Sequence, residues 1–159
     1  MNKLCRRISE AVNAALGLGP VSVEEGPHRL TLQLTSIGPG GVAFDALDFV
    51  ANDRADLSLD AVRAWGDRIA GRLTYLMEPL VVLEVDPVGG DVELRSRTPS
   101  TRDDVRSFYE IHLRRDGSLN LRRFAFDSSD RTRGVVPCRL TGEALERLVD
   151  DLVATLDPA

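Results

Sequence analysis

Apolar and polar positions alternate most clearly over residues 107–126. There Tyr109, Ile111, Leu113, Leu119 and Leu121 are separated by polar or charged residues around Asp116-Gly117. Alternation with period two predicts strands with one buried face, and Asp-Gly between two such runs predicts a hairpin, because glycine supplies the positive φ of the turn. Two loop lengths compete. A two-residue loop would set Leu113 opposite Asn120 and Ile111 opposite Arg122, mixing apolar and charged groups on one face. A three-residue loop, Arg115-Asp116-Gly117 with Gly117 left-handed, pairs Leu113 with Leu119 and Ile111 with Leu121. The second register is expected, since a slip by one residue would turn the whole apolar set to the other side. The opposite face then pairs His112 with Asn120, Glu110 with Arg122 and Phe108 with Phe124. Arg123 falls among the core-facing positions as a charged exception.

The rest of the chain reads as helices and shorter strands. Leu4, Ile8, Ala11, Val12 and Ala15 predict a helix over 3–16, stopped by the Gly and Pro of 17–20. A short strand is expected over 21–25, a clear one over 29–37 with Leu30, Leu32 and Leu34 on one side, a loop over 38–41, and a returning strand over 42–50. Ser58 caps a helix over 59–77 whose apolar face is Leu59, Val62, Trp65, Ile69, Leu73 and Leu76, ended by Glu78-Pro79. A second hairpin spans 80–97, with Val81, Leu83, Val85, Val92 and Leu94 inward and Glu93, Arg95 and Arg97 outward. Residues 98–104 and 127–137 read as loops, and Thr141 caps a last helix carrying Leu145, Leu148, Val149, Leu152 and Leu156. Helix, two or three strands, helix, four-strand meander, helix is an α+β pattern: a largely antiparallel sheet packed with three helices, in one globular domain over 1–159. This element order resembles that of small secretion-chaperone domains, which are α+β and often dimeric; the resemblance is one of fold order and carries no functional residue with it.

Charge changes the picture. The formal net charge is −5, which argues against a general nucleic-acid binder. Yet residues 1–94 hold eight basic against fourteen acidic groups, 95–139 eleven against six, and 140–159 one against five. The basic segment faces either an acidic partner or the chain's own acidic remainder. Lys3 is the only lysine, and arginine's fork suits carboxylates better than lysine does. Cys5 and Cys138 lack metal-ligand spacing and read as reduced thiols. No apolar run long enough for a signal peptide or a membrane span follows the basic start, so a cytoplasmic location is the default expectation.

Chemistry-bearing motifs are sparse. The serines lie in no Gly-x-Ser-x-Gly turn, and His28 and His112 are the only histidines. His112 beside Glu110 on one strand face has the makings of a tuned base, but a lone histidine on a polar face is more often an ordinary surface residue. Asp45, Asp48, Asp53, Asp56 and Asp60 lack the spacing of a calcium loop, and the glycines of 38–41 and 89–90 precede strands, unlike phosphate-binding loops. No catalytic residue, metal or cofactor is expected. What stands out is a surface: Phe108, Phe124 and Phe126 on an otherwise polar sheet face with Arg95, Arg97, Arg122, Glu110 and His112. Rings interleaved with arginines resemble a single-strand nucleic-acid platform in composition, but Glu84, Glu93 and Glu110 on the same face argue against it. The rings need a cover, from the chain itself or from another molecule. The leading expectation is a non-catalytic protein-binding or self-associating module, a homodimer or chaperone-like interaction domain. The alternative is a binder of, or enzyme for, a small acidic ligand held by Arg95, Arg122 and His112.

Overall fold

The computed structural model describes residues 2–15, 17–76 and 78–156, with the side chain of Leu83 left out. In chain order the elements are α1 (Lys3–Asn13), β1 (Gly19–Glu25), β2 (His28–Gly38), β3 (Gly41–Ala51), a single 3-10 turn (Asn52–Arg54), α2 (Leu59–Arg72), β4 (Leu80–Val85), β5 (Val92–Ser96), β6 (Ser100–Arg102), β7 (Val105–Leu113), β8 (Ser118–Asp127), β9 (Thr132–Val136), β10 (Cys138–Leu140) and α3 (Gly142–Ala154). The fold is α+β, and its strands form one antiparallel sheet of ten, with the main order β1-β2-β3-β8-β7-β5-β4. No helix among the described residues is long and apolar enough to cross a membrane.

The central hairpin has the register that its apolar pattern requires. Leu113 pairs with Leu119, Ile111 with Leu121, His112 with Asn120 and Phe108 with Phe124. The amide of Arg114 donates to the Ser118 carbonyl at 3.0 Å and Gly117 sits at φ +81°. A Cβ at Gly117 would meet the Ala51 carbonyl oxygen at 2.5 Å, so glycine is demanded twice, by φ and by space.

Each helix is capped by the side chain before it: Asn2 accepts from the Cys5 amide, Ser58 from Ala61 and Thr141 from Ala144. Helices of this length are marginal alone, so their apolar stripes must be buried to hold them. Leu4, Ile8 and Val12 of α1, Val62, Trp65 and Ile69 of α2, and Leu145, Leu148 and Leu152 of α3 join Leu30, Leu32, Leu47, Phe49, Leu94, Ile111, Leu119 and Leu121 in the core cluster. All three helices therefore cover one face of the sheet. Gly66 lets α2 approach β5 closely; a Cβ there would lie 3.3 Å from Val92 Cγ1. The Trp65 indole donates to Thr155 Oγ1 at 3.1 Å, tying α2 to the end of α3.

Several boundaries differ from the sequence reading. α1 and α2 end at Asn13 and Arg72, short of the expected 16 and 77. Leu73 leaves helical geometry with ψ 62°, yet it and Leu76 stay buried from the following turn. β1 begins at Gly19 rather than 21. Val81 is not inward: it pairs with Arg95, while Leu80 and Val82 pair with Ser96 and Leu94, because a register shift between Val82 and Glu84 breaks the simple alternation. The inward expectation for Leu83 lies outside the described side chains.

The expected loops at 98–104 and 127–137 contain strands. β6 extends the β5 side along β7. β3 and β8 pair only between Leu47–Val50 and Ser118–Leu121. Beyond Leu47 and Leu121 the pairing ends, and the 132–140 segment takes both freed edges, β9 against β8 and β10 against β3. Beside β9, on the helix-covered face, lies Arg123. Its Nη2 is 2.7 Å from Oε1 of fully buried Glu78, and its guanidinium carbon is 5.5 Å from the centre of the Tyr109 ring. The charged exception in the core pattern is an ion pair.

Candidate interaction site on the uncovered sheet face

Because side chains alternate, the residues of β5, β7 and β8 that do not face the helices form a second surface. Its register sets Arg95 opposite Glu110, Glu93 opposite His112, and Asp48 of β3 opposite Asn120 of β8. β9 adds Arg133 opposite Phe126 and exposed Val135 opposite Phe124.

Glu110 organises the middle of this face. It is 3% exposed, and its Oε1 accepts from Nη2 of Arg95 and from Nη2 of Arg133, each at 2.7 Å. Oε2 lies 3.5 Å from His112 Nε2. Arg95 Nη2 also reaches Glu93 Oε1 at 3.2 Å. A carboxylate is buried at acceptable cost only when donors of this kind take its oxygens. The guanidinium groups in turn are fixed in position. Arg95 stands 5.4 Å from the centre of the Phe108 ring, and Arg133 stands 4.1 Å from Phe124 and 5.7 Å from Phe108. Phe108 and Phe124 stack at 6.0 Å and 26°, and Arg106 stands 5.7 Å from Phe126. Each such cation–ring contact contributes about 0.5–1 kcal/mol where solvent reaches it. The cover that the rings need thus comes partly from arginines of the same face, not from a helix; Phe108 is buried, while Phe124 and Phe126 are half-buried.

Two depressions flank this network. One, of about 460 Å³, is lined by His112, Arg114, Ser118, Asn120, Arg122, Asp48 and Phe124, among others. Its Asp48 is occupied, accepting from Asn120 Nδ2 at 2.7 Å. The other, of about 400 Å³, is lined by Arg95, Pro99, Arg106, Phe108, Phe126 and Arg133. The three residues expected to hold a small acid together are therefore split: Arg122 and His112 share the first depression, while Arg95 belongs to the second and is engaged with Glu110. The register does place Arg122 opposite Glu110, yet the carboxylate turns to Arg95 and Arg133 instead. Arg97 is exposed just beyond β5.

The cluster has limited metal chemistry. Ligand atoms of Glu93, Glu110 and His112 lie within 4.8 Å of one another. Arg95 spans both carboxylates and Arg133 takes the same Glu110 oxygen, so guanidinium groups already stand where a cation would. A Cys138–His112 pair does not form either: Cys138 is in the core, on the other face of the sheet from His112. Desolvation pushes the Cys138 thiol up to about 12 and the Cys5 thiol up to about 11, and neither cysteine is in a disulfide.

Two residues central to this face escaped the sequence reading. Arg133 falls in the 127–137 segment that reads as a loop, and it is in β9. Arg106 shares strand parity with Phe108 and Glu110, a signal that period two alone supplies. No known protein family, curated protein or solved structure matches the chain, which leaves the chemistry of this face as the guide to function.

Proposed function

We propose that the protein is a non-catalytic binding module that engages an acidic protein partner through the uncovered sheet face. One observation carries the reading: all three helices lie on one side, while on the other side no helix covers the stacked pair of buried Phe108 and half-buried Phe124, and arginines that reach solvent stand over the rings. Aromatic and arginine side chains are enriched where protein interfaces concentrate their binding energy. Over β5, β7, β8 and β9 the face carries Arg95, Arg106, Arg122 and Arg133 against Glu93 and Glu110. A two-fold contact between two such faces would set like charges together, so a partner of opposite sign fits better than a second copy.

The test is affinity capture from an extract of the native cells with three forms of the protein: wild type, the face variant Arg122→Glu with Phe124→Ser, and the helix-side control Arg63→Ala. The reading requires a partner held by wild type and by the control and lost by the face variant. A partner held equally by all three contradicts it.

The depression under His112, Arg114 and Arg122 favours a second reading, a small polyvalent acid bound there. Thermal melts with added citrate or phosphate decide it, since ligand at 100 times its Kd adds about 2.7 kcal/mol of stability. Melting curves that do not move, or that move equally in Arg122→Ala, exclude this reading.

A further inference from the structure

The depression bounded by Arg95, Arg106 and Arg133 differs from the rest of the face in one respect: no carboxylate lines it. Its apolar part is Phe108, Phe126 and Pro99, and its polar part is entirely guanidinium. Glu110 lies beneath and serves Arg95 and Arg133 together through one oxygen, while Glu93 touches only Arg95. Arg106 is exposed, rests on the Phe126 ring, and has no carboxylate partner among the described residues. Arg95 Nε is buried without a hydrogen-bond acceptor. Three guanidinium groups thus meet two carboxylates. The positive excess, with exposed Arg106 at its edge, borders a cavity of about 400 Å³ with an apolar part, of a size typical of sites that enclose a side chain or small molecule.

Resting on the proposed protein-binding role, we propose that this depression is the specificity pocket for an acidic peptide segment, in which one aromatic side chain enters between Phe108 and Phe126 and the flanking carboxylates pair with Arg106, Arg133 and Arg95. Charge complementarity selects this occupant. A basic segment meets three like charges, a purely apolar one leaves the guanidinium donors unpaired, and a purely acidic one leaves the rings uncovered. The carboxylate under the floor holds Arg95 and Arg133 in place before binding, so little side-chain freedom remains to be lost.

The experiment is fluorescence anisotropy with a fluorescein-labelled peptide, Gly-Glu-Glu-Phe-Glu-Glu-Gly, and two companions, one with Gln for every Glu and one with Ala for Phe. The expected result is saturable binding of the first peptide, weakened by salt, and at least about tenfold weaker binding of both companions. Arg106→Glu, at an exposed position that leaves the core untouched, is expected to weaken the first peptide by a similar factor, and Arg106→Gln by less. Melting curves confirm that both variants fold. Equal binding of the Gln peptide, or binding that survives Arg106→Glu, overturns the proposal. If no peptide binds and Arg106→Glu still captures the partner that Arg122→Glu with Phe124→Ser loses, the pocket is wrong and the face reading stands. If Arg122→Glu with Phe124→Ser also retains the partner, both fail.

Discussion

Replacing Glu78 by Met removes the carboxylate from a guanidinium that the core already holds. Glu78 is 1% exposed and the Arg123 side chain 18%, so water replaces little of the lost interaction. Breaking a buried pair from one side costs about 3–5 kcal/mol. The partial exposure of Arg123 and its contact with Tyr109 place this case near the lower end, about 3 kcal/mol. Replacing both residues, Glu78→Met with Arg123→Met, leaves no charge to desolvate, and the double variant is expected within about 1 kcal/mol of wild type. Urea unfolding followed by the fluorescence of Trp65, the only tryptophan and a buried one, measures both. With a slope near 2 kcal/mol per molar, the single variant moves the midpoint down by about 1.5 M. A single-variant shift under about 0.3 M, or a double variant as unstable as the single, would refute the reasoning, because it would mean that Arg123 finds its solvation elsewhere.

Three further outcomes follow from the same geometry. Gly117→Ala forces a Cβ into a positive-φ turn 2.5 Å from the Ala51 carbonyl, and should cost at least about 2 kcal/mol in the same urea assay. Burial raises the thiols of Cys138 and Cys5 from 9.0 to about 12 and about 11, so the folded state holds these protons more tightly than the unfolded one. Their contribution to stability is complete below pH 9 and is lost as pH climbs toward 11–12; melting temperature should fall across that window, and a thiol-reactive disulfide reagent at pH 8 should label both cysteines only after unfolding. Glu110→Gln keeps an accepting oxygen but removes the charge from two charge-assisted bonds, and Arg95 and Arg133, 38% and 45% exposed, are also solvated by water, so its cost should be about 1–2 kcal/mol, less than that of Glu78→Met.

The sequence carried the parts of the fold that are locally encoded. Asp116-Gly117 and the flanking alternation set the register of β7 and β8 to the residue, and Ser58 and Thr141 marked two helix starts by the oxygen each places on an amide. Helix ends were harder, because Leu73 and Leu76 continue the apolar stripe of α2 although the chain has left helical geometry; burial and helicity part company there. β9 and β10 could not be read from 127–137, since their strand character is a response to the edges that β3 and β8 leave open beyond Leu47 and Leu121. The inward alternation at Val136, Cys138 and Leu140 was the available trace. The site followed the same division. Phe108, Phe124 and Glu110 were placed by parity, as were His112 and Arg95 on the same face, whereas the third partner of Glu110, Arg133, was not, because it arrives on β9. A charged residue in a core pattern, Arg123, was visible as an anomaly but its partner Glu78, from a turn far away in sequence, was not.

The most direct measurement of the central claim is arginine footprinting. The protein is treated with a dicarbonyl reagent alone and in complex with its captured partner, and the modification of each arginine is read by mass spectrometry. The account predicts that Arg95, Arg106, Arg122 and Arg133 lose reactivity in the complex while Arg6 and Arg63, exposed on α1 and α2, keep theirs. Protection of Arg6 and Arg63 with the sheet-face arginines unchanged would contradict it and move the binding surface to the helices.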